Sequence, residues 1–246
     1  MCVLEGPDLI DAALEAGAEF EAIYCDRRAT TSLAATLDRA ERAGVRVFQL
    51  EDGVIEKIAD AQSPQPVLAA VRMPLHEFAT LRVSGLILVL HDVRDPGNVG
   101  TIIRSADAAG VSAVVLTGQS VDPYNPKTLR ATAGSIFHVA VVVVSLDVAI
   151  DHFRDRGARV FATVVGGGND YRRAELNLPS VVIIGNEAAG LDENALALSD
   201  ETISIPMSGR SESLNAGVAA SLICFQALHQ REDAMNPSTP RSLGEL

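Results

Sequence analysis

Leu86-Ile-Leu-Val-Leu90, running into His91-Asp-Val-Arg-Asp-Pro-Gly-Asn-Val-Gly-Thr101 and Ile102-Ile-Arg-Ser-Ala-Asp-Ala-Ala-Gly110, sets the reading of the fold. An apolar run without alternation marks a strand covered on both faces, as in a parallel sheet. Beyond the Asp-Pro-Gly turn, Val99, Ile102, Ile103, Ala106 and Ala109 share one face of a helix. Gly97 and Gly100 let the backbone turn sharply, and the helix start offers N–H groups to a ligand. Arg104 stands on the opposite arc and leans back toward the helix start. Spacing alone leaves it a solvated helix arginine.

Similar apolar runs recur at Ala113–Leu116, Val139–Val144, Val160–Val165 and Val181–Ile184. Helical patterns fall at Asn98–Ala109, Leu146–Arg156 and Asn194–Leu198, with a last long helix at Leu214–Gln230. Alternating strands and helices predict a doubly wound α/β domain whose ligand sites lie beyond the carboxyl ends of its strands. Ahead of it the segments are shorter. Helices are expected at Pro7–Ala16, Ser32–Ala43 and Asp52–Ala59, with strands at Phe20–Tyr24, Val45–Phe48 and Val67–Val71. The polar stretch from Pro74 to Ser84 reads as a linker. The expected division is a first domain over 1–76, a linker over 77–84, a second domain over 85–231 and a disordered tail over 232–246.

The 246 residues are 48% hydrophobic and 21% charged, values of a folded globular chain. No apolar stretch reaches the roughly 20 residues of a membrane span, and no secretory signal is apparent. Cys2, Cys25 and Cys224 lie far apart with no Cys-x-x-Cys pair, which suits a reducing cytoplasm. His76, His91, His138, His152 and His229 show no ligand spacing, so no metal is expected. The net charge of −12 opposes broad nucleic-acid binding, which draws its affinity from neutralised phosphates. Any RNA contact must then use local arginines, and Arg27, Arg28, Arg94, Arg172 and Arg173 are the candidates.

Two further loops follow predicted strands. Gly185-Asn-Glu-Ala-Ala-Gly190 places glycine where a backbone can approach a ligand closely. Glu187 within it bonds a ribose hydroxyl or an attacking group, or else caps the next helix. Ile205-Pro-Met-Ser-Gly-Arg-Ser-Glu-Ser-Leu-Asn215 leads into a helix rich in small residues, which Ser213 or Asn215 can cap.

In this order and separation the three loops resemble those of the SpoU (TrmH) family of RNA 2′-O-ribose methyltransferases, within the SPOUT group. Asn98 and Arg104 match the first family motif, Gly185, Glu187 and Gly190 the second, and Pro206, Ser213, Leu214 and Asn215 the third. Leu4-Glu-Gly-Pro-Asp-Leu-Ile10 also resembles the start of the family's substrate-binding domain. The resemblance implies a SPOUT-type parallel-sheet domain with a trefoil knot, preceded by a small ribosomal-protein-like α/β domain that binds RNA. It implies S-adenosyl-L-methionine as cofactor, ribosomal RNA (23S) ahead of transfer RNA as substrate, and a homodimer through the catalytic domain. Arg104, Asn98, Glu187, Ser213 and Asn215 become the catalytic set. Leu116, Thr117, Gly118, Gly185, Asn186, Gly190, Ile205, Met207 and Leu214 become the cofactor cradle.

Two departures stand out. Relatives usually carry a helical stretch before the Leu-Glu-Gly-Pro segment, so a truncated or misplaced start is expected here. Pro66 also stands where glycine is expected. Two rival readings remain: a non-catalytic RNA-binding factor that kept the fold, and a nicotinamide-dependent oxidoreductase. The second lacks Gly-x-Gly-x-x-Gly after the first strand of the sheet.

Overall fold

The computed structural model describes residues 1–58, 64–73 and 76–235. Ala59, Pro74 and residues 236–246, on which parts of the helix, linker and tail expectations fall, lie outside them. Within the described residues the strands form two sheets.

The first sheet is built from β1 (Cys2–Glu5), β2 (Glu19–Asp26), β3 (Val47–Leu50) and β4 (Val67–Arg72), in the order β1-β4-β2-β3. Helices α1 (Pro7–Glu15) and α2 (Ala34–Arg42) accompany it, and α3 (Ile55–Ile58) follows β3. Pro7 starts α1 where a missing N–H costs nothing. Pro66 precedes β4, and its carbonyl accepts from Asp26 N at 2.9 Å, so the pairing there asks for no N–H at residue 66.

The second sheet is parallel throughout: β5 (Leu86–His91), β6 (Ala113–Thr117), β7 (Ala140–Val143), β8 (Arg159–Thr163), β9 (Asn169–Asp170), β10 (Ser180–Ile184) and β11 (Glu201–Ser204). Its order is β7-β6-β5-β10-β8-β11-β9, so β10 is inserted between β5 and β8. Leu86, Leu88 and Leu90 pack in one core with α4 (Pro96–Ala108), α5 (Pro126–Thr132) and α8 (Ala216–Met235). Ile87 and Val89 face the other way, onto α6 (Leu146–Arg154) and α7 (Glu193–Ala197). Burial on both faces is why β5 is apolar without alternation.

Several elements differ from the sequence expectation. β1, β9, β11 and α5 were not expected. β3 starts two residues late, and α8 runs to Met235, so residues 232–235 are helical rather than tail. The long helix buries Ala216, Ala220, Ile223 and Ala227. The linker is docked: Phe78 lies 4.5 Å from the His152 ring and 5.8 Å from that of Phe153, on α6.

The two sheets meet across a shared apolar core. Buried Glu5 receives Arg130 Nη1 at 2.9 Å and Gln65 N at 3.1 Å, fastening β1 to α5. Gly134 has φ +95°, and a Cβ there would lie 2.4 Å from Ala12 Cβ on α1. Gly134→Ala is therefore expected to destabilise by about 2–4 kcal/mol, through backbone strain and overpacking together. Calorimetry reads this as a lower Tm. An unchanged Tm would mean that α1 and this turn are not in contact in solution.

Candidate active site

The three loops named from the sequence follow β5, β10 and β11, at the carboxyl ends of the parallel strands. They are joined through one side chain. Asn98, buried in the first turn of α4, donates from Nδ2 to Glu187 Oε1 at 2.7 Å. Its Oδ1 accepts from Asn215 Nδ2 at 2.8 Å. Glu187, Asn98 and Asn215 thus form a continuous chain of hydrogen bonds across all three loops.

The capping alternatives resolve. Asp95 Oδ1 accepts from Asn98 N at 2.8 Å and caps α4. Asp192 Oδ1 accepts from Ala195 N at 2.8 Å and caps α7, leaving Glu187 free of that duty. Asn215 Oδ1 accepts from Val218 N at 3.2 Å at the start of α8. Ser213 is exposed and its carbonyl accepts from Ser211 Oγ at 2.8 Å.

The second loop is a tight return. Asn186 and Gly190 exchange backbone hydrogen bonds at 3.0 and 2.9 Å, and Asn186 Oδ1 accepts from Ala188 N and Ala189 N. A Cβ on Gly185 would lie 2.6 Å from the Gly190 carbonyl carbon, so only glycine fits. Beside this return opens a cavity of about 730 Å³, within the roughly 300–1,000 Å³ of small-molecule sites. Gly185, Asn186, Gly190, Ile205, Met207 and Leu214 of the expected cradle line it, together with Glu187 and Ser213 of the expected catalytic set.

Other expected residues lie elsewhere. Leu116, Thr117 and Gly118 do not line the cavity. They end β6, which β5 separates from β10. Leu116 and Thr117 are buried in the sheet, and Gly118 is glycine because a Cβ would lie 2.2 Å from Asp92 Oδ1. The corresponding wall comes instead from Thr163, Val164, Val165 and Gly166 after β8, together with Tyr171. No motif flagged these residues. The available signal was the Gly166-Gly-Gly168 run after an apolar strand, where Gly166 and Gly167 both take φ +73°.

Asn98 and Asn215 sit behind the cavity rather than in its lining. Arg104 is also outside the lining. It is exposed on α4, next in sequence to Ser105, whose hydroxyl meets Ser221 Oγ of α8 at 2.7 Å. No carboxylate pairs with Arg104, Arg94 or Arg173 among the described residues. Arg27 faces Glu51 at 3.5 Å, Arg28 Asp52 at 2.5 Å and Arg172 Asp170 at 2.5 Å. Arg172 holds the Asp170 carboxyl down to about 2. Such solvent-screened pairs contribute little to stability. Among the described residues no cluster of His, Cys, Asp or Glu is placed to hold a metal ion. No helix among the described residues is long and apolar enough to cross a membrane.

Comparison with known proteins adds two matched regions. Residues 85–225 match the SpoU rRNA Methylase family, and residues 1–69 match an MRM3-like substrate binding domain. The chain is 34% identical to the 23S rRNA (guanosine(2553)-2′-O)-methyltransferase RlmP of Bacillus subtilis, over 91% of its own length and 86% of that protein's. Its fold is similar to the crystal structure of the SpoU methyltransferase AviRb from Streptomyces viridochromogenes in complex with AdoMet. The TM-score is 0.82 at 30% identity, covering 94% of this chain and 90% of that one. An AdoMet-bound rRNA methyltransferase from Sinorhizobium meliloti gives a TM-score of 0.81 at 31% identity, covering 93% and 87%.

Proposed function

The chain belongs to the SpoU rRNA methylase family, and from that premise we propose that it methylates a ribose 2′-hydroxyl of RNA with S-adenosylmethionine. The substrate is ribosomal RNA ahead of transfer RNA, and 23S within it, as the name of the Bacillus relative suggests. The observation that carries the reading is the Glu187–Asn98–Asn215 hydrogen-bond chain beside a cavity of cofactor size.

The residues present fit the cofactor. The cavity is lined by Thr163–Gly166 and Gly185–Gly190 and by Ile205, Met207 and Leu214. These residues would hold the adenosine and methionine parts. The cofactor supplies a methyl group on a positively charged sulfur, already activated for in-line attack.

What remains for the protein is alignment, worth up to roughly 7–11 kcal/mol in well-oriented reactions. Asn98 and Asn215 fix Glu187 at the edge of the cavity, where its second oxygen has no partner among the described residues. Arg104 grips the phosphate beside the target ribose and polarises the hydroxyl. A guanidinium keeps its proton in proteins, so the hydroxyl proton leaves to Glu187, phosphate or water instead. The first domain holds the RNA, with Arg27 and Arg28 giving up their surface pairs to phosphates, and Arg94, Arg172 and Arg173 add contacts on the second.

The reading extends to assembly. Val218, Leu222 and Phe225 on α8 are 47%, 39% and 40% exposed and share one helix side, which supports a homodimer through the catalytic domain. The insertion of β10 between β5 and β8 and the packing of α8 on α4 support the family's knotted connection. A cytoplasmic location fits an RNA substrate and three unpaired cysteines.

Titration calorimetry tests the central point. S-adenosylhomocysteine is expected to bind the purified chain and NAD to give no heat. Preference for NAD would overturn the reading in favour of an oxidoreductase, and silence toward both would favour a pure RNA binder. Mapping ribose methylation in RNA from a deletion strain then identifies the nucleotide.

A further inference from the structure

His91, the last residue of β5, and Asp92 after it each hold one end of the loop carrying Glu187. Asp92, at φ +58°, accepts from Asn186 Nδ2 on its carbonyl at 2.9 Å. Its backbone is itself fixed from the β6 side: Asp92 N donates to the Thr117 carbonyl at 3.2 Å, and Asp92 Oδ1 accepts from Gln119 N at 2.6 Å. Neighbouring His91 is buried, with Nδ1 2.8 Å from Thr117 Oγ1 and Nε2 3.4 Å from Asp192 Oδ2. Asp192 spends its other oxygen capping α7. Between these two anchors, at 186 and 192, residues 187–191 line the cavity, as does Leu196 of α7.

With the proton on Nε2 the ring donates to Asp192, and Nδ1 lies against the Thr117 hydroxyl, which is also 3.4 Å from the Leu90 carbonyl. Asp192 reflects the arrangement, since the Ala195 N–H and, after it, His91 hold its carboxyl below the usual range.

We infer that His91 is a positioning residue for the cofactor: through Asp192 it holds the 187–191 wall of the cavity in its binding shape. The inference rests on the cofactor reading above. His91 touches neither the cavity nor Glu187, and its effect travels through the anchored loop. Losing this anchor leaves residue 192 tied only to α7, through its cap and the Leu196 N bond to its carbonyl, so the wall gains freedom that the cofactor must remove on binding.

Two substitutions separate the two ends of the ring. His91→Asn keeps an acceptor near the Nδ1 position for Thr117 but cannot reach Asp192. His91→Gln carries its amide to about the Nε2 position and keeps the donor to Asp192. In calorimetric titration of the full chain, His91→Asn is expected to weaken S-adenosylhomocysteine binding about five- to tenfold. His91→Gln is expected to stay within about twofold of wild type. In turnover, the same factor appears in the cofactor KM, with kcat at saturating cofactor and the RNA KM little changed.

Asp192→Ser retains a capping oxygen for Ala195, so α7 persists while the acceptor for His91 is lost. It is expected to weaken binding as His91→Asn does, and the double variant to be no weaker than either single one. Equal affinity of wild type and His91→Asn would overturn the inference. So would equal weakening in His91→Asn and His91→Gln, the mark of lost packing alone. A wild-type protein that ignores S-adenosylhomocysteine overturns the cofactor reading and this inference with it; wild-type binding with unaltered variants overturns this inference alone.

Discussion

Arg104→Ala is expected to lower kcat by about a hundred- to a thousandfold, the scale on which preorganised donors at reacting oxygens act. S-adenosylhomocysteine binding should stay within about twofold of wild type, because Arg104 lies outside the cavity lining. The side chain is exposed, has no carboxylate partner among the described residues and projects from a helix whose first turn holds Asn98. A cation so placed is available to a phosphate, and its planar fork can span two oxygens. Arg104→Lys distinguishes the charge from the chemistry. If residue 104 removes the hydroxyl proton, a titratable lysine should restore activity at high pH. If it grips and polarises, the lysine variant should remain poor at every pH, since a point charge replaces the fork. A steep alkaline recovery in single-turnover methylation would sink the electrostatic role. Weakened cofactor binding in Arg104→Ala would show that the side chain reaches the cavity after all.

What the sequence made legible, and what it did not, follows from how local each signal is. β5 over Leu86–Leu90 and β10 over Val181–Ile184 are apolar without a break because both faces of the sheet are covered, and that pattern survives in the sequence alone. β11 buries only Ile203 and β9 spans two residues, so neither carries a period to detect. α5 did carry a signal, with Asn125 capping and Pro126 in the first turn, yet it is too short for periodicity to confirm.

The three loops were readable because each glycine and asparagine answers a local backbone demand. Leu116–Gly118, expected in the cofactor cradle, lie away from the cavity for a non-local reason. Chain order places β6 next after β5, whereas the sheet puts β10 and then β8 on the other side of β5, and the cavity opens there. Gly118 looked like a ligand glycine and is required instead by Asp92 packing against it. Likewise, nothing in the spacing of residues 98, 187 and 215 foretold that one buried amide would bind the other two.

That amide supports the second large expectation. Asn98 uses its donor on Glu187 and its acceptor on Asn215, and it is only 9% exposed, so water cannot readily replace either contact. Asn98→Ala leaves a carboxylate and an amide without their shared partner. It should cost about 2–3 kcal/mol, with a drop in Tm of several degrees and activity reduced by more than tenfold. Asn98→Asp is the sharper probe. It keeps the acceptor for Asn215 but sets a second carboxylate against Glu187, and two such groups in contact raise the pKa of one of them.

The sign follows from linkage. An acid whose folded pKa lies above its unfolded value destabilises the folded state at high pH. The loss is relieved as pH falls through the raised value. Asn98→Asp should therefore regain Tm and cofactor binding between about pH 8 and pH 5.5, while Asn98→Ala shows no such recovery. Adding Glu187→Gln to Asn98→Asp exchanges donor and acceptor across the same contact and should restore Tm at pH 8, although not full activity. If the Asn98→Asp profile proves flat with pH, or the added glutamine brings no recovery, then residues 98 and 187 do not touch in solution, and the convergence of the three loops on one amide fails with them.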